Sequence, residues 1–264
     1  MAISLILSIK SNVGACFKSN FFINLEEFAC EMKKVILPEH KERSLVFYLA
    51  MEEYLAGRVD EDVFFTWQTR PTVIIGRNQD LEAEVNLEFC RSRNIAIYRR
   101  KSGGGCVYSD EGNIMLSYIV RRSDVADVFD KYLTSLTEFL CSIGLGAEKS
   151  ERNDVLVEGR KVSGNAFHQL PARSIVHGTL LYSTDFEVLE QAIRPPVEKL
   201  VRHGVKSVRQ RVRNLVGYKG VHQALSSDAD LRKCIEAYFT DGTIILTQQD
   251  VDEIEKIEKE YHEL

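Results

Sequence analysis

The residue types best suited to chemistry fall in three short stretches of this sequence. The first is 99–108, Arg-Arg-Lys-Ser-Gly-Gly-Gly-Cys-Val-Tyr. Three consecutive glycines, Gly103, Gly104 and Gly105, are costly in chain entropy and are justified where a backbone must turn sharply against a ligand. Successive N–H groups in such a turn form an anion-binding nest. Arg99 and Arg100 add cationic, multi-donor groups suited to phosphate or carboxylate. No Gly-Lys-Ser/Thr follows, so this is not a Walker loop, and a flexible turn between strands is the competing reading. The second stretch places Asn153-Asp154 before Lys161, with Ser163-Gly164 just after it. A lysine held on a hairpin can neutralise an α-phosphate and a carboxyl oxygen together, where an acyl-adenylate forms. Asp154 offers the carboxylate oxygen that a hard cation such as Mg²⁺ prefers. The competing reading is a surface hairpin with solvated charges. The third stretch is Val176-His177-Gly178-Thr179-Leu180-Leu181. A single histidine in an apolar strand is more often a packed core residue than a catalyst, but Gly178 beside it signals close approach by backbone or ligand.

The elements that must carry these residues follow from periodicity and punctuation. Residues 44–55 read as a helix capped by Ser44 and followed by Gly57. Strands are expected over 63–68 and 72–75 from β-branched and aromatic content, then a helix over 81–91 capped by Asp80. A strand over 95–99 runs into the glycine loop, and 113–121 is the next strand. A long amphipathic helix covers 123–143 and ends at Gly144. Strands 155–157 and 160–163 are joined by Glu158-Gly159, a hairpin signal. Strand 174–182 follows, then a helix over 185–193 stopped by Pro195-Pro196. Residues 221–264 read as helix 229–238, strand 243–246 and a charged helix from 249 onward. Hairpins mixed with helices fit an α+β (mixed α/β) fold with a mixed, largely antiparallel sheet. They lack the strict alternation of a doubly wound one.

Composition narrows the class. The chain has 264 residues, 44% apolar and 28% charged, with a formal charge of −5, which argues against a nucleic-acid binder held by phosphate contacts. Residues 202–213 are locally basic through Arg202, Lys206, Arg209, Arg211 and Arg213; an anionic ligand or the acidic surface of a partner could use such a stretch, and a solvated basic face is the competing reading. Cys16, Cys30, Cys90, Cys106, Cys141 and Cys234 form no CxxC or Cys/His set at zinc-ligand spacing. A reducing, cytoplasmic setting is the expectation, and no apolar run is long enough for a membrane span. The short apolar run 2–9 lacks the basic residues that precede a secretory signal. Residues 1–31 are read as an extension outside the fold, with 32–264 forming the catalytic domain.

Taken together and in order, these stretches resemble the lipoate–protein ligase family. The resemblance rests on 99–108 with Asp110, Gly112 and Asn113, on Arg152-Asn153-Asp154, and on 159–166 (Gly-Arg-Lys-Val-Ser-Gly-Asn-Ala). It continues through His-Gly-Thr-Leu-Leu at 177–181 and through Ser207-Val208-Arg209, Arg211-Val212 and Asn214-Leu215, spanning roughly residues 35–220.

The resemblance implies a sheet flanked by helices, similar to biotin ligases and class II aminoacyl-tRNA synthetases. It implies that Arg100, Gly105, Cys106, Val107, Tyr108, Asn153 and Asp154 form the ATP and adenylate site, with Asp154 toward Mg²⁺. Arg99, Ser102, Gly103, Gly104, Ser163 and His177 would border the lipoate. Lys161 would be the catalytic residue, touching both nucleotide phosphate and lipoyl carboxyl. The implied reaction converts lipoate and ATP to lipoyl-AMP and passes the acyl group to a lysine of acceptor lipoyl domains. Those acceptors are 2-oxoacid dehydrogenase subunits and the glycine-cleavage carrier protein. Many relatives carry a C-terminal accessory domain, which residues 221–264 are too short to form; some relatives supply it as a separate accessory subunit and others work without it, and the resemblance leaves both open here. Lys101 departs from the small polar residue often found in relatives. The rival on the same fold is a lipoyl or octanoyl transferase using preformed lipoyl-AMP or an acyl carrier. Its nucleophilic cysteine is missing from 148–154 here. Biotin ligation fits the Lys161 and His177 motifs less well, and a non-catalytic paralogue would have lost Lys161 or the glycine loop.

Overall fold

The computed structural model describes residues 32–194, 211–218 and 227–264. The proposed extension 1–31, the Pro195-Pro196 stop and residues 202–210 of the basic stretch lie outside the described residues. In chain order the elements are β1 (Met32–Ile36), α1 (Leu45–Arg58), β2 (Val63–Trp67), β3 (Thr72–Ile75), α2 (Leu81–Glu84), α3 (Leu87–Ser92) and β4 (Ala96–Arg99). Then come β5 (Val107–Ser109), β6 (Asn113–Arg121), α4 (Val125–Ser142), β7 (Ala147–Lys149), β8 (Asp154–Val157), β9 (Arg160–Gln169) and β10 (Arg173–Leu181). The last are α5 (Phe186–Ala192), α6 (Asp228–Phe239), β11 (Thr240–Ile245) and α7 (Gln248–Glu258).

The expected mixed, largely antiparallel sheet is present. Its eight strands run β11-β1-β2-β6-β10-β9-β8-β7, with β1 parallel to both its neighbours and the other pairings antiparallel. A smaller sheet, β4-β3-β5, stands beside it. Strand β6 is buried on both faces for all but its last residue, so it reads as a continuous apolar run and sits mid-sheet. One face of the large sheet packs on α4 and α6, with Tyr132, Leu136, Phe139 and Phe239 in the interface. The other face packs on α1 and α7 through Phe47, Met51, Leu55, Val251 and Ile254. A third apolar cluster ties the small sheet to α3 and α5.

Several boundaries differ from expectation for identifiable reasons. Helix α1 continues through Gly57 to Arg58 and stops where the Val59 N–H bonds Leu55 O; its predicted Ser44 cap is present, accepting from Phe47 N. The helix expected over 81–91 is two short ones. Val85 leaves the first to bridge Ile193, and Asn86 caps the second. Asp124 caps α4, so that helix begins later than expected. Strands β1, β5 and β7 had no reading in the sequence, and β9 runs well past the expected residue 163.

Candidate active site

A cavity of about 260 Å³ opens between the α1 face of the large sheet and the small sheet. Leu45, Leu49, Trp67, Ile74 and Met115 give it an apolar wall, while Asp154, Lys161, Arg211 and His177 form a polar one. Lys161 reaches it through two local devices. Glu158 and Gly159 both have positive φ (51° and 72°), the backbone of a tight primed hairpin turn between β8 and β9. Two residues on, the β8–β9 register slips: Val155 faces Ser163 but Leu156 faces Lys161. The extra residue is Val162. This bulge turns Lys161 to the same side as Gly164, where a Cβ would lie 2.2 Å from the Lys161 ammonium. Glycine at 164 is what lets the lysine lie across its own strand.

The Lys161 ammonium pairs with Asp154 Oδ1 at 2.8 Å, and Arg211 Nη2 donates to Asp154 Oδ2 at 2.7 Å. Burial pushes the Asp154 carboxyl up, but the Lys161 and Arg211 charges outweigh it and hold the group below the ordinary carboxylate range. Arg211 is fixed because its segment runs parallel to the lysine strand, with a Val212–Lys161 bridge and Arg213 N donating to Lys161 O at 2.9 Å. Asn153 is locked to Asn165: its side-chain amide donates to Asn165 O, and its own carbonyl accepts from Asn165 Nδ2 at 2.8 Å. One carboxylate thus holds two cations at one end of the cavity, an arrangement suited to an anionic acyl phosphate.

The glycine loop is built around Arg100, which is 5% exposed. Its Nε and Nη2 donate to Gly103 O, Nη2 also to Gly105 O at 2.7 Å, and Nη1 to Ile74 O. Burial lowers its pKa to about 10, so it stays a cation at neutral pH. Arg100 therefore holds the loop with donors that the sequence reading assigned to nucleotide. Gly104 has φ +92°, and a Cβ on Gly76 would meet the Gly104 carbonyl at 2.2 Å; the turn at Gly76 and the loop are in backbone contact.

The structure brings Arg100, Gly105, Cys106, Val107, Tyr108, Asn153, Asp154, Lys161 and His177 to one cavity. It does not bring Arg99, Ser102, Gly103, Gly104 or Ser163 to its wall. The Arg99 guanidinium is turned onto the carbonyls of Gly76, Arg77 and Gln79, so it braces a turn. Ser163 is fully buried and accepts from Asn165 Nδ2 at 3.2 Å. Ser102 meets His177 instead, Oγ to Nε2 at 2.8 Å. The expected close approach at Gly178 is present, since a Cβ there would lie 2.1 Å from Asn165 Oδ1 and 2.6 Å from the Tyr132 hydroxyl oxygen. Two basic residues of the 202–213 stretch are among the described ones. Arg211 belongs to the cavity, and Arg213 pairs with Glu158 at 2.5 Å and lies over the Tyr218 ring at 3.9 Å.

Sequence reasoning missed Glu52, Gly76, Trp67 and Asn165. A signal existed for two of them: Trp67 is the sequence's one tryptophan, and Glu52 is one of two adjacent carboxylates inside an otherwise apolar helical stretch. As to metal, Glu84 and Asp154 are the carboxylates lining the cavity, and both Asp154 oxygens are on cations. Among the described residues no group of three or more His, Cys, Asp or Glu side chains could hold a metal ion. This donor set fits a Mg²⁺ that arrives on substrate phosphates with its own waters, and not a metal cage built by protein.

Residues 44–240 match the family model described as the lipoyl protein ligase A/B catalytic domain. The chain belongs to this lipoyl ligase family. Every motif from the glycine loop through His177 falls inside the matched span, and most of β11 and all of α7 lie beyond it. A lipoate–protein ligase 1 of Staphylococcus aureus is 34% identical over 215 residues, covering 79% of this chain and 65% of that protein. The chain thus spans just under two thirds of that curated relative. Two solved structures share the fold. A bipartite archaeal lipoate protein ligase from Thermoplasma acidophilum superposes with TM-score 0.73 at 24% identity, covering 87% of this chain and 92% of that one. A lipoate-protein ligase A bound with ATP superposes with TM-score 0.72 at 20% identity, covering 87% and 94%. No helix among the described residues is long and apolar enough to cross a membrane.

Proposed function

We propose that this chain activates lipoate with ATP and transfers the lipoyl group from lipoyl-AMP to a lysine of an acceptor lipoyl domain. The observation that carries the reading is the Lys161–Asp154–Arg211 cluster at the polar end of a cavity whose other walls are apolar and reached by the glycine loop. An eight-carbon acyl chain gains affinity mainly from buried hydrocarbon, and a wall of Leu45, Leu49, Trp67 and Ile74 suits it. In the first step a lipoate carboxylate oxygen attacks the α-phosphorus, the bond to the β-phosphate oxygen breaks, and pyrophosphate leaves. Lys161 and Arg211 stabilise the charge that develops there, and Asp154 holds both in place. Gly105 and Cys106, where the loop meets the cavity, border the nucleotide; His177 borders the acyl chain. In the second step the acceptor ε-amine attacks the acyl carbon, AMP leaves, and the amine proton passes to solvent or to AMP. A Mg²⁺ brought in on the substrate phosphates would supply charge neutralisation, with Asp154 the carboxylate toward it.

The named activity of the Staphylococcus aureus relative and the ATP-bound fold relative support this reading. The bipartite Thermoplasma ligase supports a separate accessory polypeptide as a partner. A cytoplasmic location belongs to the same proposal, since the scattered cysteine spacing of the sequence suits a reducing compartment.

The test is to incubate the purified chain with Mg-ATP, lipoate and an apo lipoyl domain, following pyrophosphate and acceptor mass. Release of pyrophosphate with a mass gain is expected. Pyrophosphate alone assigns transfer to a missing partner, and a mass gain only from supplied lipoyl-AMP assigns a transferase. A Lys161→Ala chain active in both steps removes the reading of that residue.

A further inference from the structure

Two adjacent carboxylates on α1 reach adjacent loop residues, Glu53 by pairing with Lys101 and Glu52 through His177, which meets Ser102. The stripe of α1 that faces the cavity runs Leu45, Leu49, and one turn on stands Glu52, 2% exposed. Ser117 Oγ donates to Glu52 Oε1 at 2.5 Å, because its own lone pair accepts from Trp67 Nε1 at 2.9 Å. Glu52 Oε2 lies 3.0 Å from His177 Nδ1, and His177 Nε2 lies 2.8 Å from Ser102 Oγ. With Glu52 as a carboxylate and His177 as a neutral imidazole, the chain has one consistent polarity. A carboxylate accepts at both oxygens, so His177 carries its proton on Nδ1, and Nε2 accepts from the Ser102 hydroxyl. The next residue, Glu53, pairs at 2.8 Å with the Lys101 ammonium and accepts from the Tyr261 hydroxyl. Lys101 also pairs with Glu260 at 2.8 Å and lies 5.0 Å over the Tyr261 ring.

We infer that Glu52 and Glu53 are positioning residues for the glycine loop: Glu52 fixes the tautomer of His177 that holds Ser102, and Glu53 holds Lys101. This rests on the reading above for what the loop binds, but the hydrogen-bond polarity stands apart from it. Neither glutamate lines the cavity, and each acts through another side chain. The two grips differ in strength. Glu52 is buried in a fully paired network, whereas Lys101 and Glu53 keep 38% and 18% side-chain exposure, where solvent weakens an ion pair. Most of the effect belongs to the Glu52 arm. A glutamine at 52 has one acceptor oxygen and one NH₂, so it cannot accept from both Ser117 and His177.

The test uses the full chain. Nitrogen-15 histidine NMR without substrate should show His177 protonated at Nδ1 with Nε2 as acceptor. Ser102→Ala should shift the Nε2 resonance, and Glu52→Gln should move the tautomer ratio toward Nε2–H. In pyrophosphate assays, Glu52→Gln and Ser102→Ala should each raise the lipoate KM by about tenfold, the scale of one hydrogen bond to a charged group. The double variant should be no worse than the poorer single one, since both break one chain. Glu53→Gln and Lys101→Met should form a second such cycle with effects of about two- to threefold. Double losses equal to the product of the single losses, or a wild-type His177 protonated at Nε2 alone, overturn the inference. A chain that makes no lipoyl-AMP but shows the Nδ1 tautomer and its response to Glu52→Gln overturns the ligase reading and leaves the positioning chain standing.

Discussion

At the scale of single residues, Asp154 decides how the site is charged. Its side chain is 10% exposed and bonded to both Lys161 and Arg211; desolvation raises its pKa, yet the two cations leave it lowered. A group whose folded pKa is depressed contributes stability above its unfolded pKa and loses it as pH falls through the folded value. Asp154→Asn removes the charge and leaves two cations facing each other, so it should destabilise the chain by about 3 kcal/mol at neutral pH. The difference from wild type should shrink as pH drops below the ordinary carboxylate range. Urea titrations at neutral and acid pH measure it, and a gap that is constant with pH contradicts the argument. Gly164→Ala tests the same site without touching charge. The new Cβ meets the far end of a flexible lysine, which moves aside at little cost to the fold. Adenylate formation should fall at least about tenfold, since an ångström of misplacement is that expensive, while Tm changes by no more than about 4 °C. A variant of full activity would show that Lys161 need not lie across residue 164.

At the scale of elements, the glycine loop is a backbone held by one guanidinium. Four donations from Arg100 to three carbonyls need a planar fork, which lysine lacks. Arg100→Lys keeps the charge and should still lose the loop's shape. It should raise the KM values for ATP and lipoate together by about tenfold or more, on losing two or more such bonds, with steady-state pyrophosphate release as the measurement. An unchanged KM would return Arg100 to a purely electrostatic role. Much of this scale was legible beforehand. The hairpin at Glu158-Gly159, the strands 72–75 and 113–121, and the Ser44 and Asp80 caps are where turn and cap chemistry put them. Strand β1 was not, because Met-Lys-Lys-Val-Ile is too short to show a period and is made a strand by two distant parallel neighbours. The bulge at Val162 was equally hidden: nothing in Arg-Lys-Val-Ser reports that β9 carries one residue more than β8. The partners of His177 and Asp154, Glu52 and Arg211, stand far off in sequence and come together only through the sheet order. The type of each reactive residue could therefore be read in the sequence, and its geometry could not.

At the scale of the whole molecule, the segment after residue 240 completes the layer that carries the site, although it lies beyond the family match. β11 pairs with β1, and α7 then lies along α1. Ser44 Oγ donates to Glu258 at 2.5 Å, Tyr54 Oη to Asp250 at 2.5 Å, and Arg43 pairs with Glu255 at 2.5 Å. Val251 and Ile254 are fully buried between the two helices. The chain continues to the open edge of the small sheet, where Leu264 N donates to Ile97 O at 2.9 Å and Glu263 bridges Tyr98. A chain cut after Leu246 uncovers the outer face of α1. It also removes Glu260 and Tyr261 from Lys101. Losing two buried aliphatic side chains is worth about 3–6 kcal/mol, a large share of the roughly 5–15 kcal/mol that holds a domain together. The shortened chain should therefore melt about 10–20 °C lower, and differential scanning calorimetry reads this directly. The loss need not be uniform. α1 carries Leu45, Leu49, Glu52 and Glu53, so loosening it weakens the apolar wall of the cavity and the grip on the glycine loop, while the Lys161–Asp154–Arg211 cluster sits on β8, β9 and the 211–213 segment. Below its melting point the shortened chain should accordingly lose affinity for lipoate more than its capacity to turn over bound substrate. An unchanged Tm with an unchanged lipoate KM would mean that α1 is held by the sheet alone.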